Sequence, residues 1–266
     1  MSVNSPASPK TAKKPTKTPR SKASKVSWRK KATVSAAYGA WVVAAFFIGQ
    51  FVVIGILLGF KALGAPLAAI NQTLLQTIIT ALAFGLTLAI TIWIPAKLLK
   101  NHTSKAQLGL TRLPSWYDLL AAPLSFIPYL ILAAIFISLA SAFFPGFDAA
   151  QVQDVGFKQL QSPFEYQLAF LTLVVIAPIV EEALFRGYLY GKLRPTTGIV
   201  IASLVTSVIF GALHGQWNVG INVFALSLVL CGLRELTGSI WAGIVLHMLK
   251  NAIAYYGLFI AHSLIQ

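Results

Sequence analysis

The sequence predicts an all-α fold, a polytopic transmembrane helical bundle with about seven spans, and three observations predict it. Apolar residues make up 57% of the 266 positions and charged residues only 11%. No charged side chain occurs in residues 32–60, 62–96, 119–147 or 195–233. Lys and Arg collect in alternate loops, as they do on the cytoplasmic side of membrane proteins. Hydrocarbon offers no partner for backbone N–H and C=O groups, so uncharged runs of this length must bond internally as helices. The composition excludes a soluble globular protein.

The formal net charge of +14 suggests nucleic acid at first, but 10 of the 21 Lys and Arg residues fall within the first 31 positions. That stretch is rich in Ser, Pro, Thr and Lys and has too little apolar surface to offset the entropy of ordering. Residues 1–34 are therefore expected to be a disordered basic cytoplasmic tail that touches anionic lipid headgroups. No nucleic-acid partner is expected, because Trp28 is the tail's lone aromatic residue. The first apolar run starts late and is too long for the core of a cleavable signal. The lone Cys231 permits no intrachain disulfide.

The membrane domain is expected over 35–266, with spans near 35–60, 73–96, 119–144, 167–190, 198–214, 218–235 and 239–261. The loops test that count. Lys97, Lys100, Lys105 and Arg112 follow the second span and Lys192 and Arg194 the fourth, whereas the loop 145–167 carries Asp148, Asp154 and Glu165 against Lys158. The bias puts the N-terminus in the cytoplasm and the C-terminus outside. The expected location is the plasma membrane of a prokaryote, with membrane lipids as partners. No internal repeat is evident, which counts against an inverted-repeat transporter.

The fourth span places Glu181, Glu182 and Arg186 where an isolated charge costs several kcal/mol. Glu182 and Arg186 stand four apart on one helical face and can pair. Glu181 points about 100 degrees away and is left without that partner. It is therefore the better candidate base. Pro178 has no N–H, so in an α-helix the carbonyl of Val174 loses its partner just before the glutamates. Phe210 and His214 share a face in the fifth span. His247 and Asn251 do so in the seventh, where an imidazole and a carboxamide are suited to polarising a carbonyl or to bonding neighbouring helices.

Taken in order, Glu181-Glu182-x-x-x-Arg186, Phe210-x-x-x-His214 and His247-x-x-x-Asn251 resemble the three signature motifs of the CPBP intramembrane proteases. That group contains the type II CAAX prenyl endopeptidases and the bacteriocin-processing and self-immunity (Abi) proteins. The resemblance covers about residues 165–255, leaving the tail and the first three spans unassigned. It implies an endopeptidase in which Glu181 and His214 activate a water, while His247 and Asn251 stabilise the oxyanion. Glu182, Arg186 and Phe210 are then supporting residues. The implied substrate is a membrane-associated peptide or lipidated protein, with or without a prenyl group. Glu181, His214 and His247 are the candidate ligands if zinc is bound. A metal-free glutamate mechanism stays open, since no His-Glu-x-x-His helix is present.

Two features resist this picture. Measured from the cytoplasmic span ends, Glu181 and His247 lie at a depth of about 13 Å, whereas His214 falls near ~24 Å in a straight fifth span. Lys250 adds an ammonium between His247 and Asn251, free to snorkel or to pair with Glu182. The alternative readings are a non-catalytic membrane immunity or scaffold protein, which uses the polar cluster only for packing, and a proton-coupled carrier.

Overall fold

A computed structural model describes residues 26–157 and 160–261, together with Met1. Most of the basic tail lies outside the described residues, as do Lys158 and His262. Among the described residues the fold is an all-α polytopic bundle without strands. Its helices are α1 (Trp28–Ala62), α2 (Gln72–Leu98), the short α3 (Lys105–Leu108), α4 (Trp116–Phe143), α5 (Pro163–Thr197), α6 (Ile199–Ala212), α7 (Trp217–Thr237) and α8 (Trp241–Ala261). Six of them, all but α3 and α6, are long and apolar enough to cross a membrane. Their outer faces are apolar and exposed, as at Phe51, Leu124 and Phe170, the surface a bilayer would cover.

Helix α1 begins at Trp28, seven residues before the expected edge of the membrane domain. The Ser27 side chain accepts from the Lys30 N–H and caps the first turn. This places Arg29, Lys30 and Lys31 on the helix itself. The expected fifth span is the 14-residue α6, about 21 Å long and shorter than the hydrocarbon thickness.

The expected fourth span and the basic loop after it form one helix, α5, which runs on through Lys192 and Arg194 to Thr197. Those cations stay helical because each finds a partner. Lys192 Nζ donates to Asn101 Oδ1 at 2.9 Å and to the His102 carbonyl at 2.8 Å. Arg194 pairs with Glu235 at the end of α7 at 2.8 Å. Chain reversal comes only at Gly198, whose φ of +85° suits a residue without Cβ. At the other end α5 starts at Pro163, ahead of the expected 167, on a Ser162–Glu165 capping box.

Three apolar clusters hold the bundle. The largest surrounds α5 and joins Val42 of α1, Leu184, Tyr188 and Leu193 of α5, Phe210 of α6 and Val223 of α7. A second packs α4 against α7 and α8, and a third packs the start of α5 against the end of α8. Polar ties close the end where the α3 segment lies. Arg112 donates to Asp118 Oδ1 at 2.7 Å, an interaction that raises the guanidinium above its ordinary pKa. Arg234 donates to the Ala106 carbonyl at 2.8 Å, and Ser239 Oγ to that of Gly109 at 3.0 Å. At the opposite end the loop after α4 is tied to the start of α7, with Asn218 donating to the Gln151 carbonyl at 2.7 Å.

Candidate active site

The site is built on α5, whose backbone is not uniformly α-helical. Two π-helical turns, Leu171–Ile176 and Ala183–Leu189, flank the segment that carries Pro178, Glu181 and Glu182. Such turns recur at functional sites. The first of them moves the vacancy that proline creates. In the i→i+5 register, followed by the Ala177 N–H bonding to the Thr172 carbonyl, the carbonyl facing Pro178 is that of Leu173, not of Val174 as an α-helical register predicts. Asn251 fills this vacancy, its Nδ2 donating to the Leu173 carbonyl at 2.9 Å. The same proline thus shapes α5 and orients a candidate site residue on α8.

Glu182 and Arg186 form the pair their spacing predicts. Arg186 Nη1 lies 2.8 Å from Glu182 Oε1, and both side chains are wholly buried. The guanidinium also sits 4.5 Å above the Phe210 ring centroid, a cation–π contact. Phe210 in turn meets the His214 and His247 rings edge-on, at 4.9 and 5.8 Å between centroids. This one buried phenyl ring therefore spaces the cation from both imidazoles.

Glu181 differs from the expectation of a carboxylate without a partner. His247 bridges the two glutamates, its Nδ1 lying 3.1 Å from Glu182 Oε1 and its Nε2 3.6 Å from Glu181 Oε2. The Nδ1–H donates to the fully buried Glu182, which fixes the ring plane and leaves Nε2 facing Glu181. The division between the two glutamates is clear in exposure. Glu182 is sealed, whereas Glu181 keeps 17% of its side chain accessible.

His214 reaches the same place. Its Nδ1 bonds the Phe210 carbonyl at 2.8 Å; a carbonyl only accepts, so this nitrogen carries the proton and Nε2 is left as an acceptor. The apparent mismatch in depth disappears because α5 turns at Gly198 rather than near residue 190. Glu181 precedes Gly198 by 17 residues and His214 follows it by 16, so the two arms of the hairpin rise by nearly equal amounts, roughly 25 Å each.

Glu181, His214, His247, Lys250 and Asn251 line one cavity of about 210 Å³. A second cavity, of about 270 Å³, shares Glu181, His214, Thr80 and Phe84 with the first and extends between α1, α2 and α5. The two cavities meet at the Glu181–His214 pair. Lys250 forms no ion pair within 4 Å among the described residues, so the pairing with Glu182 considered from sequence does not occur; Arg186 and His247 hold that carboxylate.

Glu181, His214 and His247 are the candidate zinc ligands. Among the described residues no three His, Cys, Asp or Glu side chains are arranged to hold a metal ion. In each imidazole Nδ1 is held by a protein acceptor and Nε2 is left open, as in a metal-ligating histidine, but the Lys250 ammonium shares the cavity and the three side chains as placed form no ion-holding group.

Some residues of the site escaped the sequence reading. Gly243 on α8 is one: a Cβ there would lie 2.9 Å from Glu182 Oε2 and push that carboxylate aside, so glycine suits the close approach of α8 that brings His247 up to the glutamates. Its small size is an uninformative signal in a membrane helix. Gln50 and Gln76, which line the cavity beside α1 and α2, are another case. Gln50 was visible in sequence as the one carboxamide in the uncharged run 32–60.

An apolar bundle that encloses a carboxylate, two imidazoles and a carboxamide around a cavity defines a polytopic membrane protein with a buried polar site. Residues 163–253 match the family model described as Type II CAAX prenyl endopeptidase Rce1-like. The chain is also 31% identical over 84 residues to the Bacillus subtilis (strain 168) protein named "Putative membrane peptidase YdiL", a match covering 32% of this chain and 34% of that relative. The chain thus aligns with about a third of the relative's length. No solved structure matches it. The match to the family model covers the segment that carries all three motifs.

Proposed function

We propose that this protein is an intramembrane endopeptidase that hydrolyses a peptide bond in a membrane-associated substrate, with or without a prenyl group. The observation that carries the proposal is the convergence of Glu181, His214, His247 and Asn251, from α5, the α6–α7 turn and α8, on one cavity. Amide hydrolysis needs a nucleophilic water, a base, donors for the oxyanion and an acid for the leaving amine. Each need has a candidate here.

A water between Glu181 and the acceptor Nε2 of His214 donates one hydrogen bond to each. Glu181 takes a proton as the water oxygen bonds to the substrate carbonyl carbon. The carbonyl oxygen becomes an oxyanion, which accepts from Asn251, one of whose two amide hydrogens is already held by the Leu173 carbonyl. It also accepts from His247 Nε2–H when that ring is doubly protonated, with Nδ1–H held by Glu182. Glu181 then passes its proton to the amide nitrogen as the C–N bond breaks, releasing an amine and a carboxylic acid. Glu182, Arg186 and Phe210 act as positioning residues.

The charge bias of the loops supports placing the N-terminus in the cytoplasm, in the plasma membrane of a prokaryote. The test uses purified protein in detergent with internally quenched apolar peptides. Glu181→Gln and His214→Ala are expected to lower cleavage at least ~10²-fold, the scale of general-base loss, with unchanged unfolding midpoints. Cleavage by either variant at the parent rate overturns the assignment.

A further inference from the structure

The family match ends at the helices that carry the motifs, yet half the wall around Glu181 and His214 comes from α1 and α2, which lie outside it. That wall contains two carboxamides. Gln50 stands in an otherwise carboxamide-free span, lines the cavity, and makes no side-chain hydrogen bond among the described residues. Gln76, on α2, lines the same cavity, and its one side-chain bond is a long 3.3 Å donation to Thr80 Oγ1. A carboxamide inside a membrane bundle is costly when unbonded, and placing two on one cavity wall is unfavourable unless something bonds them.

From this wall we infer a peptide-binding subsite in which Gln50 and Gln76 hydrogen-bond the backbone of an extended substrate segment next to the scissile bond. Each carboxamide carries both a donor and an acceptor, the pairing that a peptide N–H and C=O require. Phe46, Ile79 and Phe84 are among the apolar side chains lining the cavity and select an apolar substrate side chain there. An acyl or prenyl chain is the other candidate occupant of an apolar cavity. It would leave both carboxamides unpaired, which favours peptide over lipid in this position. The cavity joins the one holding His247 and Asn251 at Glu181 and His214, so a chain filling both places its scissile bond at the reactive pair. The subsite rests on the peptidase reading for its location beside a scissile bond.

Binding and cleavage are to be measured separately. In a Glu181→Gln background, the affinity of a fluorescently labelled apolar peptide is measured by anisotropy for the parent and for Gln50→Leu and Gln76→Leu. Leucine keeps the volume and suits the membrane, and unfolding midpoints confirm folding. Each change is expected to weaken binding about 3- to 10-fold, the range of one neutral hydrogen bond. In the Glu181 protein each should raise KM by a similar factor with kcat within about twofold. N-methylation of the bonded substrate amide should cost the parent the same factor and cost the matching variant nothing further, as coupling of the two groups requires. Unchanged affinity in both variants overturns the subsite, and if the parent still cleaves peptide the peptidase reading survives. Binding that responds to the two glutamines without any cleavage overturns the peptidase reading and keeps the peptide site. A preference for a prenyl or acyl chain that is indifferent to both substitutions assigns the cavity to lipid and refutes the proposal.

Discussion

Removing Arg186 tests most sharply how the two glutamates divide their roles. Arg186 is wholly buried, 2.8 Å from an equally buried Glu182. Arg186→Met keeps the stem volume but strands the Glu182 carboxylate with His247 as its remaining partner. Breaking a buried pair on one side costs about 3–5 kcal/mol, and loss of the guanidinium over Phe210, at 4.5 Å, adds roughly 0.5–2 kcal/mol. Removing both charges together in Glu182→Gln/Arg186→Met leaves no stranded ion. It is expected to recover about half or more of the single loss, since replacing both members of a buried pair is often near neutral. Unfolding in mixed detergent–SDS micelles, followed by tryptophan fluorescence, measures both. An Arg186→Met protein within about 1 kcal/mol of the parent, below even the low end for a broken pair, would falsify the structural role given to the pair. So would a double variant as damaged as the sum of Arg186→Met and Glu182→Gln measured singly, which would show that the two groups do not interact.

Three further outcomes follow from the same geometry. Asn251→Ala should lower kcat by about 10²- to 10³-fold, as loss of an oxyanion donor does; Pro178→Ala, which gives the Leu173 carbonyl a competing N–H, should lower it less although it removes no polar group. Steady-state kinetics on one peptide checks both, and a Pro178→Ala enzyme as fast as the parent refutes the link between the proline and Asn251. Gly243→Ala puts a methyl 2.9 Å from Glu182 Oε2 and should destabilise the fold by about 1–3 kcal/mol as an overpacking change; an unshifted unfolding midpoint argues against the close approach of α8. Lys250 lacks an ion pair within 4 Å among the described residues, so Lys250→Met should leave the midpoint unchanged or raise it, whereas a large loss would reveal a partner for the ammonium.

Much of the fold and part of the site were legible in the chain. Glu182 and Arg186 pair because helical spacing alone sets them on one face. The motif residues were picked out because charge and imidazole in an apolar run are too costly to be incidental. Two readings changed in three dimensions. Glu181, read as partnerless, faces His247, because the contact crosses from α5 to α8 and no local spacing encodes it. His214, which a straight fifth span puts too deep, lines the same cavities as Glu181, because Lys192 and Arg194 find bonding partners across the bundle and keep α5 helical to Thr197.

By itself the sequence determined that the chain is an all-α membrane bundle and which side chains are chemically exceptional, since both follow from transfer energies that act residue by residue. Only the tertiary structure decided where those side chains meet and which carbonyl Asn251 occupies. It alone decided that α1 and α2 contribute two glutamines to the wall. These depend on helix register, on two π-helical turns and on packing between segments as far apart in the chain as Gln50 and His214, which line one cavity. Such contacts are set by the whole bundle, with no local pattern that records them.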